Sequence, residues 1–548
     1  MRSGRFCLPP ECRRTSLGLF SAVTPISDGL PEGSVLNARN RRTTVAAVSA
    51  AGLIAPLLLI GSGTASAHSD PAKEAVQLAK KLVKKSNAED AYEHLKKFQR
   101  IADKNGNTRV AGSEGHRQSA EYVEALLRKA GYSVTRNEFD YPFTKTLAQS
   151  LRVVSPQQQD IPLIAMTYSA SSPVGGITAP VAVVPVDDTT GCEPGDYTSG
   201  TFTGKIALIK RGGCTFAEKQ EAAAGAGAVG AIIYNNTEGT LNGTLGDPSA
   251  ARIPAGGVTQ ADGEALAAKA AAGAVTVNLE IRTFAENRHT YNVIAETKSG
   301  SADNVVMFGA HLDSVEAGPG INDNGSGSAG ILDVALNLAH EKVKNKVRFA
   351  WWSAEEFGLL GSEAYVDGLS AADRAKVKLY LNFDMIASPN YAQFVYDGDD
   401  SDQVGAGPGP EGSAQLERQI TDYLDSRRIP HEGTDFTGRS DYGPFIEVGI
   451  PSGGTFTGAE GIKTAEQAKV YGGKAGVAYD ACYHAACDNL KNINMKAFDV
   501  NIDVIANAVG QYAWDTSILS KPVTPQNTKG SAGSGGGLHD GHDHEVTE

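Results

Sequence analysis

Three short stretches carry the side chains best suited to chemistry: His311-Leu312-Asp313, Ser353-Ala354-Glu355-Glu356 and Asn382-Phe383-Asp384. Zinc readily accepts imidazole nitrogen and carboxylate oxygen, and a catalytic zinc keeps one position open for water. Two such ions about 3.5–4 Å apart can share a carboxylate, activate a water and clamp a tetrahedral intermediate. A neighbouring carboxylate that is not a ligand can take the water's proton and deliver it to a leaving amine. The adjacent pair Glu355-Glu356 could divide that work between base and ligand. Standing alone, the pair would read as a solvated acidic turn. It follows the apolar run Phe349-Ala350-Trp351-Trp352, where such a turn is less economical, and Asp323-Asn324-Gly325 supplies a further acidic site.

Each of the three stretches closes a strand-like run, at 305–308, 347–351 and 379–383. Ligands in open α/β sheets bind at the carboxyl ends of strands, so a shared site is physically reasonable. An amphipathic helix is expected over 331–340, after the Gly-rich segment 323–330. Upstream, apolar steps of three and four residues (Ala75, Leu78, Ala79 and Leu82; Val123, Leu126 and Leu127) predict helices between 72 and 127. The turn Lys104-Asn105-Gly106-Asn107 separates them, and a strand follows over 132–140. Residues 150–284 differ in texture. Short β-rich runs at 181–184, 206–210 and 231–234 alternate with Gly-rich turns around one Ala-rich helix, which suggests an inserted, mostly β unit.

The 548 residues suit two or three domains, and 41% hydrophobic residues against 21% charged give a globular chain able to bury a core. The net charge of −13 argues against a nucleic-acid or anionic-membrane surface. Arg39, Arg41 and Arg42 precede an apolar run from 45 to 60 and then Ala65-Ser66-Ala67, the pattern of a secretory signal cleaved after Ala67. The run contains Gly52 and Pro56 and is short for a membrane anchor. The mature protein is therefore expected to be exported and free of the membrane. Residues 1–67 are set apart as upstream extension and signal, and 520–548 as a flexible tail with His539, His542 and His544. Past the signal, Cys192, Cys214, Cys482 and Cys487 form an even set, which in an exported chain suggests two disulfides. Cys192–Cys214 and Cys482–Cys487 are the local pairings; a four-thiolate zinc site is the alternative, though the spacing does not fit paired CxxC knuckles.

Five ordered motifs resemble those of the M28 family of zinc aminopeptidases: His311-Leu312-Asp313-Ser314, Asn322-Asp323-Asn324-Gly325-Ser326-Gly327, Trp352-Ser353-Ala354-Glu355-Glu356-Phe357-Gly358, Asn382-Phe383-Asp384-Met385 and Tyr483-His484. The resemblance covers roughly residues 85–140 and 285–518 and implies an α/β fold, a mixed central sheet flanked by helices. The peptidase domain would then occupy 68–149 and 285–519. The resemblance implies that Asp323 bridges two zinc ions, with His311 and Asp384 on one and Glu356 and His484 on the other. Glu355 would be the general base, Tyr483 would hydrogen-bond the oxyanion, and Asp313 would orient the His311 imidazole. It also implies a Cys482–Cys487 disulfide pinning the Tyr483-His484 loop, and Arg439 near the substrate. Met385, Gly438 and Phe456 would line an apolar pocket for the first side chain, and Asp499 and Asp503 would hold calcium. Within 150–284, the run from Gly204 through Lys210-Arg211-Gly212-Gly213-Cys214 to Gly230-Ala231-Ile232-Ile233-Tyr234 resembles a protease-associated (PA) domain, a module thought to restrict substrate access or bind partners.

The expected activity is hydrolysis of the N-terminal, Leu-like residue of peptides and proteins. A carboxypeptidase or another amidohydrolase of the same fold is the nearest rival. A non-catalytic scaffold is a weaker one, because every expected ligand is present. No GxSxG or HExxH motif occurs to support a serine or single-zinc peptidase.

Overall fold

The computed structural model describes residues 70–523 apart from 238, 247, 404 and 406. The expected signal segment, Cys7, Cys12 and the histidines of the tail lie outside the described residues.

Eight strands position the site: β1 (Ser133–Ser155), β2 (Thr276–Glu296), β3 (Ser301–His311), β4 (Asn345–Trp352), β5 (Val377–Phe383), β6 (Phe394–Tyr396), β7 (Glu432–Thr434) and β8 (Ser452–Phe456). They lie in the order β7-β6-β8-β5-β3-β4-β2. At the centre β5, β3 and β4 run parallel, while β2 joins β4 antiparallel, so the sheet is mixed. Central strands covered on both faces need apolar residues at successive positions, as in the run Val305-Val306-Met307-Phe308. Val306, Phe308 and Ala310 enter one core; Val305 and Met307 enter another with Trp352, Tyr380 and Phe445. The first core is closed by helices α1 (Pro71–Lys85), α2 (Ala88–Lys104), α3 (Glu114–Ala130), α4 (Gly325–Leu338), α5 (Ser413–Ser426) and α6 (Met495–Tyr512). Asn87 and Ser113 cap the starts of α2 and α3, and Gly131 ends α3 in the left-handed conformation glycine favours.

Two differences from the sequence expectations bear on the site. Helix α4 begins at Gly325, inside the Gly-rich segment, because the Asn324 side chain accepts from the Gly327 N–H at 2.9 Å. A Cβ at Gly327 would lie 1.9 Å from the Phe383 carbonyl oxygen, so glycine there lets α4 start directly against the end of β5. Close approach outweighs the low helix propensity of glycine. The second difference is β1, expected to stop near 140 and continuing to Ser155. It pairs antiparallel with β2 from Ser133↔Glu296 to Ser155↔Thr276, through two register shifts. Its middle is exposed, while Tyr141 and Phe143, and further on Leu151 and Val153, are buried at alternating positions, so the partner strand rather than continuous hydrophobic patterning defines its length.

The ribbon links two sheet regions. Its β2 residues 293–296 pair with β4, and 276–279 pair with the strand Ile177–Val183. From there Ile206–Lys210, Gly230–Tyr234 and Ala255–Val258 continue in parallel, packed with the helices Phe216–Gly225 and Gln260–Ala272. The segment is thus rich in strands as expected, several of them parallel, and the helix Gln260–Ala272 is the element the sequence reading did not place.

Candidate metal centre

The carboxyl ends of three adjacent strands bring the predicted ligands together. His311 is the last residue of β3, Glu355 and Glu356 form a 3-10 turn just past β4, and Asp384 follows β5. Asp323 stands on the turn before α4 and His484 on the loop after Asp480. One Asp323 oxygen lies 3.2 Å from His311 Nε2 and the other 3.2 Å from His484 Nε2. Asp384 Oδ1 is 3.3 Å from His311 Nε2, and Glu356 Oε2 is 3.0 Å from His484 Nε2. Asp323 thus stands between two imidazoles, each with a further carboxylate of its own. Glu355 Oε2 is more distant, 3.8 Å from His311 Nε2.

The site is mostly buried: His311, Asp313 and Asp384 are fully buried, Glu355 and Asp323 are exposed by only 1% and 3%, and the His484 side chain, 29% exposed, leaves one side open. His311 Nε2, both Asp323 oxygens and Glu356 Oε1 are buried with no partner in hydrogen-bond geometry. Buried polar atoms of this kind are costly and call for an explanation. Burial works to lower the pKa of both histidines, yet the carboxylates around them (Asp384 and Glu355 at His311, Glu356 and Asp323 at His484) carry both well above the ordinary value. Burial, together with the neighbouring carboxylates, pushes Glu355 well above the usual carboxylate range. Burial opposes the ionised form of Asp323 too, but the two imidazoles hold it well below that range. The cage therefore demands positive charge between its carboxylates. Nitrogen and oxygen donors converging on one mostly buried space, several of them without partners in hydrogen-bond geometry, fit zinc. His311, Glu355 and Asp384 form one set of groups able to hold a metal ion; His311, Asp323 and Glu356 form a second.

The turn carrying Glu355 and Glu356 is itself unusual. Ala354 (φ 59°) and Leu359 (φ 63°) are both left-handed without being glycine, a conformation costing about 1–2 kcal/mol each. Asp313 Oδ1 accepts from the Glu355 N–H at 3.4 Å and lies 3.6 Å from His311 Nδ1, too far for a direct hydrogen bond to the imidazole.

Several supporting residues were not found by sequence reasoning. Asp488 accepts the Asn322 and Asp323 N–H groups at 2.8 and 3.0 Å, and Asp480 accepts the Asn322 amide at 2.7 Å. Buried Arg109 donates to the carbonyls of Leu312, Pro319 and Gly320, fixing the segment between His311 and Asp323. Asp384 is reached by a directed chain: Trp352 Nε1 donates to the Tyr380 hydroxyl (2.7 Å), which donates to Asn382 Oδ1 (2.8 Å). The Asn382 amide then donates to Ser440 Oγ (2.7 Å), which donates to Asp384 Oδ2 (2.7 Å). Outer partners of this kind typically shift metal affinity 10–100-fold. Asn382→Ala is accordingly expected to weaken zinc binding by about tenfold, read by competition with a chromogenic chelator. Unchanged affinity would mean that the chain only packs the core.

The remaining predicted residues are placed as follows. Met385 and Phe456 are buried in the apolar cluster beside Asp384, Arg439 is partly buried, and Gly438 (φ 76°) is exposed with open space where a Cβ would stand. Tyr483 stacks on His484 with ring centroids 3.8 Å apart, and burial beside Asp323 and Glu356 drives its hydroxyl well above the usual phenol range. Cys192–Cys214 and Cys482–Cys487 are both disulfides, the second holding the Tyr483-His484 loop. Asp499 and Asp503 share a face of α6. Asp499 accepts the Ala88 N–H at 3.1 Å and Asp503 lies 3.5 Å from Arg427. Among the described residues no third His, Cys, Asp or Glu completes a metal-holding group with them.

The sequence profile of peptidase family M28 matches residues 292–509, and that of the PA domain matches 177–266. Leucine aminopeptidase 2 from Arthroderma otae is 48% identical over 77% of this chain and 82% of its own length. Among solved structures, an aminopeptidase from Aneurinibacillus sp. strain AM-1 covers 81% of this chain and 98% of its own, at 28% identity and a TM-score of 0.65. A zinc aminopeptidase from Bacillus subtilis covers 77% and 94%, at 27% identity and a TM-score of 0.54. With 48% identity across most of both chains and a sheet that gathers the family's motifs into one cage, the chain belongs to peptidase family M28, as a metal-dependent aminopeptidase carrying a PA domain.

Proposed function

We propose that this protein is an exported enzyme that removes apolar, Leu-like N-terminal residues from peptides, using two zinc ions and Glu355 as general base. The observation that carries the reading is Asp323 between His311 and His484, 3.2 Å from each. Asp323 would bridge the ions, with His311 and Asp384 completing one and Glu356 and His484 the other. Zinc held there would supply Lewis acidity, to polarise a carbonyl and acidify water.

The chain's own groups do the rest. Glu355 is buried and its proton affinity is raised, which suits it to take a proton from water and return it to the leaving amine. Tyr483 stays protonated, so its hydroxyl can donate to the oxygen on which negative charge develops. Met385, Phe456 and Gly438 would form the apolar wall for the first side chain, with Arg439 contacting the substrate. The leucine preference carried by the names of the relatives agrees with that wall. We assign 150–284 to the insert and 1–67 to an upstream extension with the export signal, and we keep calcium at Asp499 and Asp503 as a separate expectation of the family resemblance.

An amino-acid arylamide and its N-acylated form separate this reading from its rivals. Hydrolysis of the free-amine substrate is expected, with the acylated form at least about 100-fold slower, because a buried site built for a polar group discriminates strongly against its loss. Cleavage of the acylated form alone would overturn the assignment.

A further inference from the structure

The ribbon that leads into the insert touches the turn carrying the proposed base. Tyr141 and Phe143 stand two residues apart on β1 and therefore share one face. Both rings pack on Phe357, with centroids 5.3 and 5.4 Å away, and with buried Ala354 they form one apolar cluster. Ala354 and Phe357 bracket Glu355 and Glu356 in the chain. The rings are anchored from behind: the Tyr141 hydroxyl donates to the Ala111 carbonyl at 2.7 Å, and the Arg288 guanidinium on β2 covers Phe143 at 3.2 Å. Val110 and Ala111 complete the cluster, next in sequence to the Arg109 that holds the 312–320 segment.

We propose that Tyr141 and Phe143 are positioning residues for the Glu355–Glu356 turn, so that the ribbon joining the insert to the peptidase sheet sets the geometry of the catalytic base. The turn needs such a clasp. Left-handed Ala354, Gly358 and Leu359 fall within six residues, and conformations of this kind persist only where the surroundings over-determine them. Within the turn, the Gly358 and Leu359 N–H groups donate to the Glu355 carbonyl at 2.9 Å and the Leu360 N–H to the Ala354 carbonyl at 3.1 Å, while its tie to the end of β3 is a long one, the Glu355 N–H to Asp313 Oδ1 at 3.4 Å. Along the ribbon Leu147 (53% exposed) and Phe284 (42%) stand in solvent, while Leu151 and Val153 are buried in a separate core, so the aromatic pair forms a cluster of its own.

The inference rests on Glu355 as the base and is tested on the full-length, zinc-loaded enzyme with an arylamide substrate. Phe143→Ala is expected to lower kcat by about tenfold with KM within about twofold, since a small misplacement of a catalytic group is enough for such a loss. Phe143→Leu should recover most of the rate, and Leu147→Ala should match the parent. A Phe143→Ala enzyme that keeps the parent kcat overturns the proposal, whatever its melting temperature. If that variant does not fold, Tyr141→Phe decides. It keeps the ring and loses the anchor to Ala111, and about threefold lower kcat supports the clasp while an unchanged kcat removes it. Glu355→Gln measured alongside separates the two readings. An active Glu355→Gln enzyme removes the base itself; an inactive one beside a fully active Phe143→Ala removes only the clasp.

Discussion

Glu355→Gln is expected to keep its zinc and lose turnover by about 10³-fold, the range that general acid–base catalysis contributes. Glutamine preserves the shape of the side chain and its polar contacts but cannot accept a proton, so the loss should fall on kcat with KM little changed. The geometry favours base over ligand. Glu355 Oε2 lies 3.8 Å from His311 Nε2, whereas Asp323 and Asp384 approach the same nitrogen to 3.2 and 3.3 Å. Its burial and the surrounding carboxylates raise its proton affinity, and a base must hold the proton long enough to hand it on. Steady-state kinetics with elemental analysis on one preparation decides among three results. A slow, fully metallated enzyme fits the base. An enzyme short of one zinc makes Glu355 a ligand, as the set His311, Glu355 and Asp384 would allow. A fast enzyme places the base elsewhere.

Glu355 was legible because it stands three residues past an apolar strand, and His311, the last residue of β3, and Asp384, just past β5, were legible for a similar reason. Strand ends announce themselves, since buried parallel strands need continuous apolar runs and polar residues at their carboxyl ends face the crevice. His484 has no such signal. It sits on an irregular loop, and only the family resemblance and the spacing of Cys482 and Cys487 drew attention to it. Asp488, Asp480 and Arg109 were invisible for a further reason: a polar residue in a loop reads as solvated, whereas these are buried and hold the backbone or a neighbouring amide by hydrogen bonds. The start of α4 was misplaced because Gly327 was read by propensity, when its role is contact with the Phe383 carbonyl. The length of β1 was missed because its order comes from β2, a partner more than a hundred residues away in sequence.

Removing the metal should have an effect as large as removing the base, with a different signature. Chelation is expected to abolish activity by at least about 10³-fold, because Lewis-acid stabilisation is worth several kcal/mol. Two equivalents of zinc should restore it. Asp323→Asn should respond differently. The amide gives up the charge that two imidazoles face at 3.2 Å each, and an amide bridges two cations poorly. This variant should bind at most one zinc and stay inactive when zinc is returned. The chelated parent should also unfold more easily. Its cage buries Asp323, Glu355, Glu356 and Asp384 around two imidazoles, an excess of negative charge, and a ligand held 1,000-fold above its Kd contributes about 4 kcal/mol to stability. Thermal melts with and without zinc therefore separate the two halves of the argument. Zinc should raise the melting temperature of Glu355→Gln as much as that of the parent, and that of Asp323→Asn far less. Equal stabilisation of all three would deny Asp323 the bridge, and the pairing of His311 with His484 across it would need another cause.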